Sequence, residues 1–159
     1  MMYGDGYYGA IIKINKVLKI CHDLDIDTVA GPVMSGAIIA MGCFLQSGNK
    51  NIKNPINAIL LEKKGYCRRK HGSGPKIFGR HGINRILIVD DCICSGYAVI
   101  DAIQRTYNSF TSVNIIGCMF MSIPGGKKAI RIVKNCYPHL RFFSLYTGEI
   151  EITNGKEKI

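Results

Sequence analysis

The run Arg85-Ile86-Leu87-Ile88-Val89, which leads straight into Asp90-Asp91, constrains the fold more than any other stretch of the chain. A strand with one wet face alternates apolar and polar residues, whereas a strand buried on both faces is apolar throughout. This run does not alternate, so it predicts a central strand of a parallel sheet. Parallel neighbours need long crossover connections, usually helices. The rest of the chain supplies them. Gly9 to His22 carries Ile11, Ile12, Ile14, Val17, Leu18 and Cys21 at helical spacing. Ile26 to Ala30 reads as a strand ending at Gly31-Pro32, and Ser35 opens a helix that stops near Gly48. Asn57 to Leu61 reads as a second strand. A helix follows Gly96, Val113 to Met121 reads as a strand, and Lys127 to Cys136 as a short helix. Leu140 to Tyr146 is the last main strand, and Thr147 to Thr153 an added edge strand or hairpin. The alternation predicts one α/β domain over residues 1–159, with a mostly parallel central sheet flanked by helices.

In such sheets ligands bind beyond the carboxyl ends of the strands. Three polar or glycine-rich segments follow strands here: Gly31 to Gly36, Lys63 to Gly82 and Asp90 to Ala98. They are expected to gather at one edge. The third carries the most chemistry. A buried strand delivers two carboxylates to the sheet rim, and a short turn with Ser95 and Gly96 then opens a helix. Free amides at a helix start accept a phosphate, and glycine permits close approach of the backbone. Paired carboxylates bind sugar hydroxyls or, directly or through water, magnesium. One short segment is therefore suited to a phosphorylated sugar.

Charge points the same way. The chain has 21 Lys and Arg against 11 Asp and Glu, a formal charge of +10, which calls for anionic partners. Eight of the basic residues lie between Lys63 and Val89, a stretch without one acidic residue. The aromatic residues form no evident stacking platform for RNA. The longest apolar stretch, Ala37 to Leu45, is too short to span a bilayer. Met1 to Asp5 has no basic region followed by an apolar run, so a secretory signal is not expected. The seven cysteines lack zinc-site spacing and read as reduced thiols, several of them buried, in a cytoplasmic protein.

Ile88 to Ala98 resembles the phosphoribosyl-diphosphate signature of type I phosphoribosyltransferases, in which a buried strand ends in two acidic residues and a Thr/Ser-Gly phosphate loop follows. Gly31-Pro32-Val33-Met34-Ser35-Gly36 resembles the diphosphate loop of the orotate enzymes, which often contains a strained or cis peptide. Arg68-Arg69-Lys70-His71-Gly72-Ser73-Gly74, followed by Ile77-Phe78-Gly79, resembles their mobile catalytic loop. The likeness covers roughly residues 26–104.

The resemblance implies the Rossmann-like fold of that family with a small hood. It also implies a magnesium-dependent transfer of the phosphoribosyl group from phosphoribosyl diphosphate to a nucleobase, orotate-like or purine. Asp90 and Asp91 would hold the ribose hydroxyls or the metal. Cys94, Ser95, Gly96, Tyr97 and Ala98 would hold the 5′-phosphate, and Val33, Met34, Ser35 and Gly36 the diphosphate. Arg69, Lys70 and His71 would neutralise the leaving group, and a homodimer is expected. Three residues differ from the family pattern: Cys94 stands in place of a hydroxyl residue, Tyr97 in place of a small residue, and Ser35 in place of the orotate enzymes' lysine. The alternative is a non-catalytic regulator on the same fold, or a nucleic-acid-binding protein. Phe142, Phe143 and Tyr146 are either a base-stacking group or core residues of the last strand.

Overall fold

The computed structural model describes residues 7–49, 55–62, 74–79 and 82–150. The chain folds in the order α1 (Tyr7–Asp23), β1 (Thr28–Pro32), α2 (Ser35–Asn49), β2 (Asn57–Leu61), β3 (Lys76–Phe78), β4 (Arg85–Cys92), α3 (Tyr97–Ser109), β5 (Asn114–Ser122), α4 (Gly126–Cys136), β6 (Arg141–Ser144) and β7 (Gly148–Glu149). The strands form one sheet in the order β3-β2-β1-β4-β5-β6-β7. Its five inner strands are mutually parallel, while β3 and β7 run antiparallel at the two edges.

The apolar run of β4 does what its pattern predicts. Ile86 and Ile88 enter a core with Val99 and Ile103 of α3 and Ile130 and Val133 of α4. Leu87 and Val89 enter a second core with Val17 and Cys21 of α1 and Ile39 and Cys43 of α2. Each of these four β4 side chains is at most 1% exposed. Full burial of such a residue is worth about 1.5–3 kcal/mol, so this strand anchors both layers. At its lower end, the Asp27 carboxylate accepts the backbone N–H groups of Asn84 and Arg85 at 3.1–3.2 Å, which fixes the start of β4 beside that of β1. The carboxyl ends of these two central strands are thereby brought together.

Several boundaries differ from the sequence expectation. β1 begins at Thr28 rather than Ile26, because the Ile26 amide bonds back to the Cys21 carbonyl (2.8 Å) and closes α1. β4 continues through both aspartates to Cys92, since Asp90 and Cys92 still face Phe120 and Ser122 of β5. The two carboxylates therefore stand on the strand itself. β3, which no sequence signal marked, pairs Lys76 to Phe78 with β2. β6 ends at Ser144, and β7 turns back onto it, held by the Arg141–Glu149 ion pair. Among the described residues no helix is long and apolar enough to cross a membrane.

Candidate functional site

The loop after β1 is folded hard against the end of β4. A Cβ on Gly31 would lie 2.2 Å from the Gly36 carbonyl carbon, and one on Gly36 would lie 2.3 Å from the Val89 carbonyl oxygen. Neither distance is compatible with a side chain, which is why glycine opens and closes this loop. Between them the Val33–Met34 peptide is cis, as the resemblance suggested for this loop. The Val33 amide donates to the Leu61 carbonyl of β2 (2.9 Å), and Met34 is exposed. Ser35 then donates its hydroxyl to Asp90 Oδ1 at 3.1 Å. This bond, across 55 residues of sequence, joins the β1 loop to the carboxylate pair.

The second loop leaves β4 at Cys92. The Ile93 side chain is buried in the core, its amide donates to the Ser122 carbonyl, and its carbonyl accepts the Gly125 amide, both at 3.1 Å. A Cβ at Gly125 would come within 1.7 Å of the Cys94 carbonyl oxygen, so the β5–α4 turn packs directly against this loop. Gly96 adopts φ 86°, in the left-handed region where glycine is favoured, and the Ala129 carbonyl sits 2.7 Å from where its Cβ would be. Gly96, the residue that precedes α3, has no side chain with which to cap it. Among the described residues no side-chain acceptor is recorded for the first amides of α3, and free amides at a helix start accept an anion. Ser95, Tyr97 and Ala98 are exposed, Tyr97 at 67%. The Tyr97 ring thus faces solvent.

The two aspartates differ in environment. Asp90 is 8% exposed, and burial pushes its carboxyl up to about 6, against the opposing pull of hydrogen bonds from the Asp91 amide and Ser35. Asp91 is exposed. Partial burial works to raise its carboxyl, but hydrogen bonds with Ser35, Asp90 and Cys92 outweigh that and hold it below the usual carboxylate value. Beside them the Cys92 thiol is pushed up to about 12, first by burial and then by the Asp91 charge. The pair offers hard oxygen donors with at least one carboxylate ionised, a set that suits magnesium. Among the described residues no third Asp, Glu, His or Cys joins them as a metal cluster. A magnesium ion here would take its remaining ligands from water and substrate oxygens, as that ion commonly does.

No family model matches the chain, and no curated protein matches it in sequence. Solved structures do match. Orotate phosphoribosyltransferase of Mycobacterium tuberculosis in complex with 5-phospho-α-D-ribosyl 1-diphosphate superposes with a TM-score of 0.62 at 17% identity, over 86% of this chain and 72% of that one. A phosphoribosyltransferase of Corynebacterium diphtheriae gives 0.65 at 16%, over 87% and 78%. Adenine phosphoribosyltransferase of Saccharomyces cerevisiae gives 0.60 at 14%, over 88% and 80%. The fold is that of the type I phosphoribosyltransferases.

Within that phosphoribosyltransferase fold, the structure brings Val33, Met34, Ser35 and Gly36 into one rim with Asp90, Asp91 and the Cys94 to Ala98 loop. Arg69, Lys70 and His71 lie outside the described residues. Of the three aromatic candidates, Phe142 and Phe143 are core residues at 1% and 4% exposure, while Tyr146 is 68% exposed. Sequence reading missed the support that Ser122 and Gly125 give the second loop. Nothing local in Pro124-Gly125-Gly126 says that it touches Cys94.

Proposed function

We propose that the protein transfers the 5-phosphoribosyl group of phosphoribosyl diphosphate to a ring nitrogen of a nucleobase, orotate-like or purine, with magnesium. A C1–N bond forms as the C1–O bond to diphosphate breaks. The observation that carries this reading is the Ser35–Asp90 hydrogen bond, which ties a diphosphate-type loop to a ribose-type carboxylate at the ends of adjacent central strands.

In this reading the open amides of α3 and the Ser95 hydroxyl hold the 5′-phosphate. Asp90 and Asp91 orient the ribose through its hydroxyls or through the metal. Backbone groups of Val33 to Gly36 receive the diphosphate. Magnesium, when bound, supplies positive charge to the leaving oxygens. Arg69, Lys70 and His71 add to it where charge grows most in the transition state, which is where stabilisation accelerates the reaction. Of Phe142, Phe143 and Tyr146, the last is exposed just beyond β6 and available to meet a base. The reading also carries a homodimer working in the cytoplasm.

The test is diphosphate release from phosphoribosyl diphosphate and magnesium across a panel of pyrimidines and purines. Release with at least one base is expected. Tight binding of the donor with no release across the panel would favour the second reading, a non-catalytic regulator; the +10 charge would then be expected to show as salt-sensitive binding of RNA or DNA.

A further inference from the structure

Cys92 ends β4 and Cys94 opens the phosphate-type loop, at a position where the related signature carries a hydroxyl. Side chains of successive residues in an extended segment point to opposite faces, so residues two apart share a face. Ile93 is 1% exposed and turned into the core, which sends both neighbouring thiols to the opposite side. Their sulfurs stand 3.9 Å apart. Cys94 is exposed and Cys92 half-buried. A disulfide needs a sulfur–sulfur distance of about 2 Å and a defined torsion. The Cys94 carbonyl is wedged against Gly125, and Gly96 is committed to its left-handed conformation. Cα atoms two residues apart in an extended segment stand about 6.6 Å apart, at the upper end of the roughly 4.4–6.8 Å that a disulfide spans, so closing the gap pulls on a loop backbone held at both points.

We propose that Cys92 and Cys94 form a redox-sensitive dithiol that a peroxide converts to a disulfide, and that this closure reshapes the Cys94 to Ala98 loop and abolishes its grip on a phosphate group. The exposed Cys94 sulfur attacks one peroxide oxygen. An S–O bond forms, the O–O bond breaks, and the departing hydroxide takes the thiol proton as water. The Cys92 sulfur then attacks the Cys94 sulfur. An S–S bond forms, the S–O bond breaks, and the second hydroxide leaves as water with the Cys92 proton. Two thiols lose two electrons in all, and one peroxide becomes two waters. A dithiol reductant reverses the step by thiol–disulfide exchange. The binding half of the proposal rests on the phosphoribosyl reading; the cross-link does not.

The test uses the full chain, reduced and then treated with hydrogen peroxide, with remaining thiols blocked before digestion. Trypsin releases the segment between Arg85 and Arg105, in which Cys92 and Cys94 are the only cysteines. The expected product is this peptide short of two hydrogens and unlabelled by the thiol reagent. Calorimetry is expected to show phosphoribosyl diphosphate with magnesium bound at least tenfold more weakly, and restored by dithiothreitol. Hydrogen exchange over residues 93–98 is expected to change on oxidation. Cys92→Ala should give no such peptide, and Cys136→Ser, at an exposed thiol outside this loop, should respond as wild type. A peptide that keeps both thiols, or carries only sulfinic or sulfonic acid, overturns the proposal. So does a cross-linked protein with unchanged donor affinity. If the reduced protein fails to bind the donor, the phosphoribosyl reading falls instead. The dithiol is then judged by cross-link and exchange together: both changes sustain it, and absence of either ends it.

Discussion

Asp90 accepts hydrogen bonds from Ser35 (3.1 Å) and the Asp91 amide (2.9 Å), yet its carboxyl is raised from 3.8 to about 6, so the loss of water outweighs both bonds. Below pH 3.8 the group is neutral in the folded and the unfolded chain alike. Between pH 3.8 and about 6 the unfolded chain ionises while the folded one keeps its proton. The folded state then binds more protons than the unfolded one, and stability falls as pH rises. Above about 6 the loss is complete and constant. Asp90→Asn removes the buried charge and retains an oxygen for both donors. It is expected to raise stability by about 1 kcal/mol at pH 7.5, roughly 2–4 °C in Tm, with the gain appearing between pH 4 and 6 and absent below. Thermal melts of both proteins across that range check this; an equal Tm at pH 7.5 would mean that Asp90 is solvated. The same substitution combined with Asp91→Asn is expected to abolish binding of phosphoribosyl diphosphate with magnesium while the circular dichroism stays native. Donor affinity like that of wild type in that double variant would remove the carboxylates from the site.

At the scale of elements, the close approach of the β1 loop to β4 sets how the two halves of the rim meet. Gly36→Ala forces a methyl to within 2.3 Å of the Val89 carbonyl, a backbone atom that cannot step aside. The loop must shift, with an expected loss of about 1–3 kcal/mol as for other overpacked sites. Because Ser35 precedes the shifted residue, its bond to Asp90 should go as well, and donor affinity should fall at least tenfold by calorimetry. A variant destabilised to that extent with unaltered affinity would separate this loop from the site. Gly31-Pro32 and Gly36 marked the loop in the sequence, and the spacing of Asn57 to Leu61 gave β2 its observed bounds. What stayed hidden was the contact between segments. The Ser35–Asp90 bond spans 55 residues, and periodicity carries no information at that range. β3 was hidden for another reason. Its three side chains are all exposed, so it leaves no buried pattern and exists only by pairing with β2. β4 outran its apolar run because pairing with β5 continues through Asp90, and the backbone of a strand pairs regardless of its side chains' polarity.

For the whole molecule, the apolar β4 run pointed to a strand covered on both faces, and the alternation of strands and helices around it to a mostly parallel sheet. Which ligand the rim takes depends instead on charge, a property of the complete chain. The chain carries a formal charge of +10, while the rim's own two aspartates are acidic, so the attraction for a polyanion must come from cations outside that pair. Seven of the 21 Lys and Arg fall between residues 63 and 80. Charges that do not touch the ligand act by steering, which salt weakens as the Debye length shrinks from about 10 Å at 0.1 M to about 3 Å at 1 M. Hydrogen bonds from the α3 amides act at contact and are screened far less. Phosphoribosyl diphosphate is therefore expected to bind roughly tenfold more weakly when salt rises from about 0.05 to 0.5 M, mainly through a slower association rate. Stopped-flow binding at fixed magnesium measures both rates. If the association rate proves flat across that range, the positive charge lies away from the route to the rim and belongs to a different anionic partner, which salt-dependent RNA binding would then identify.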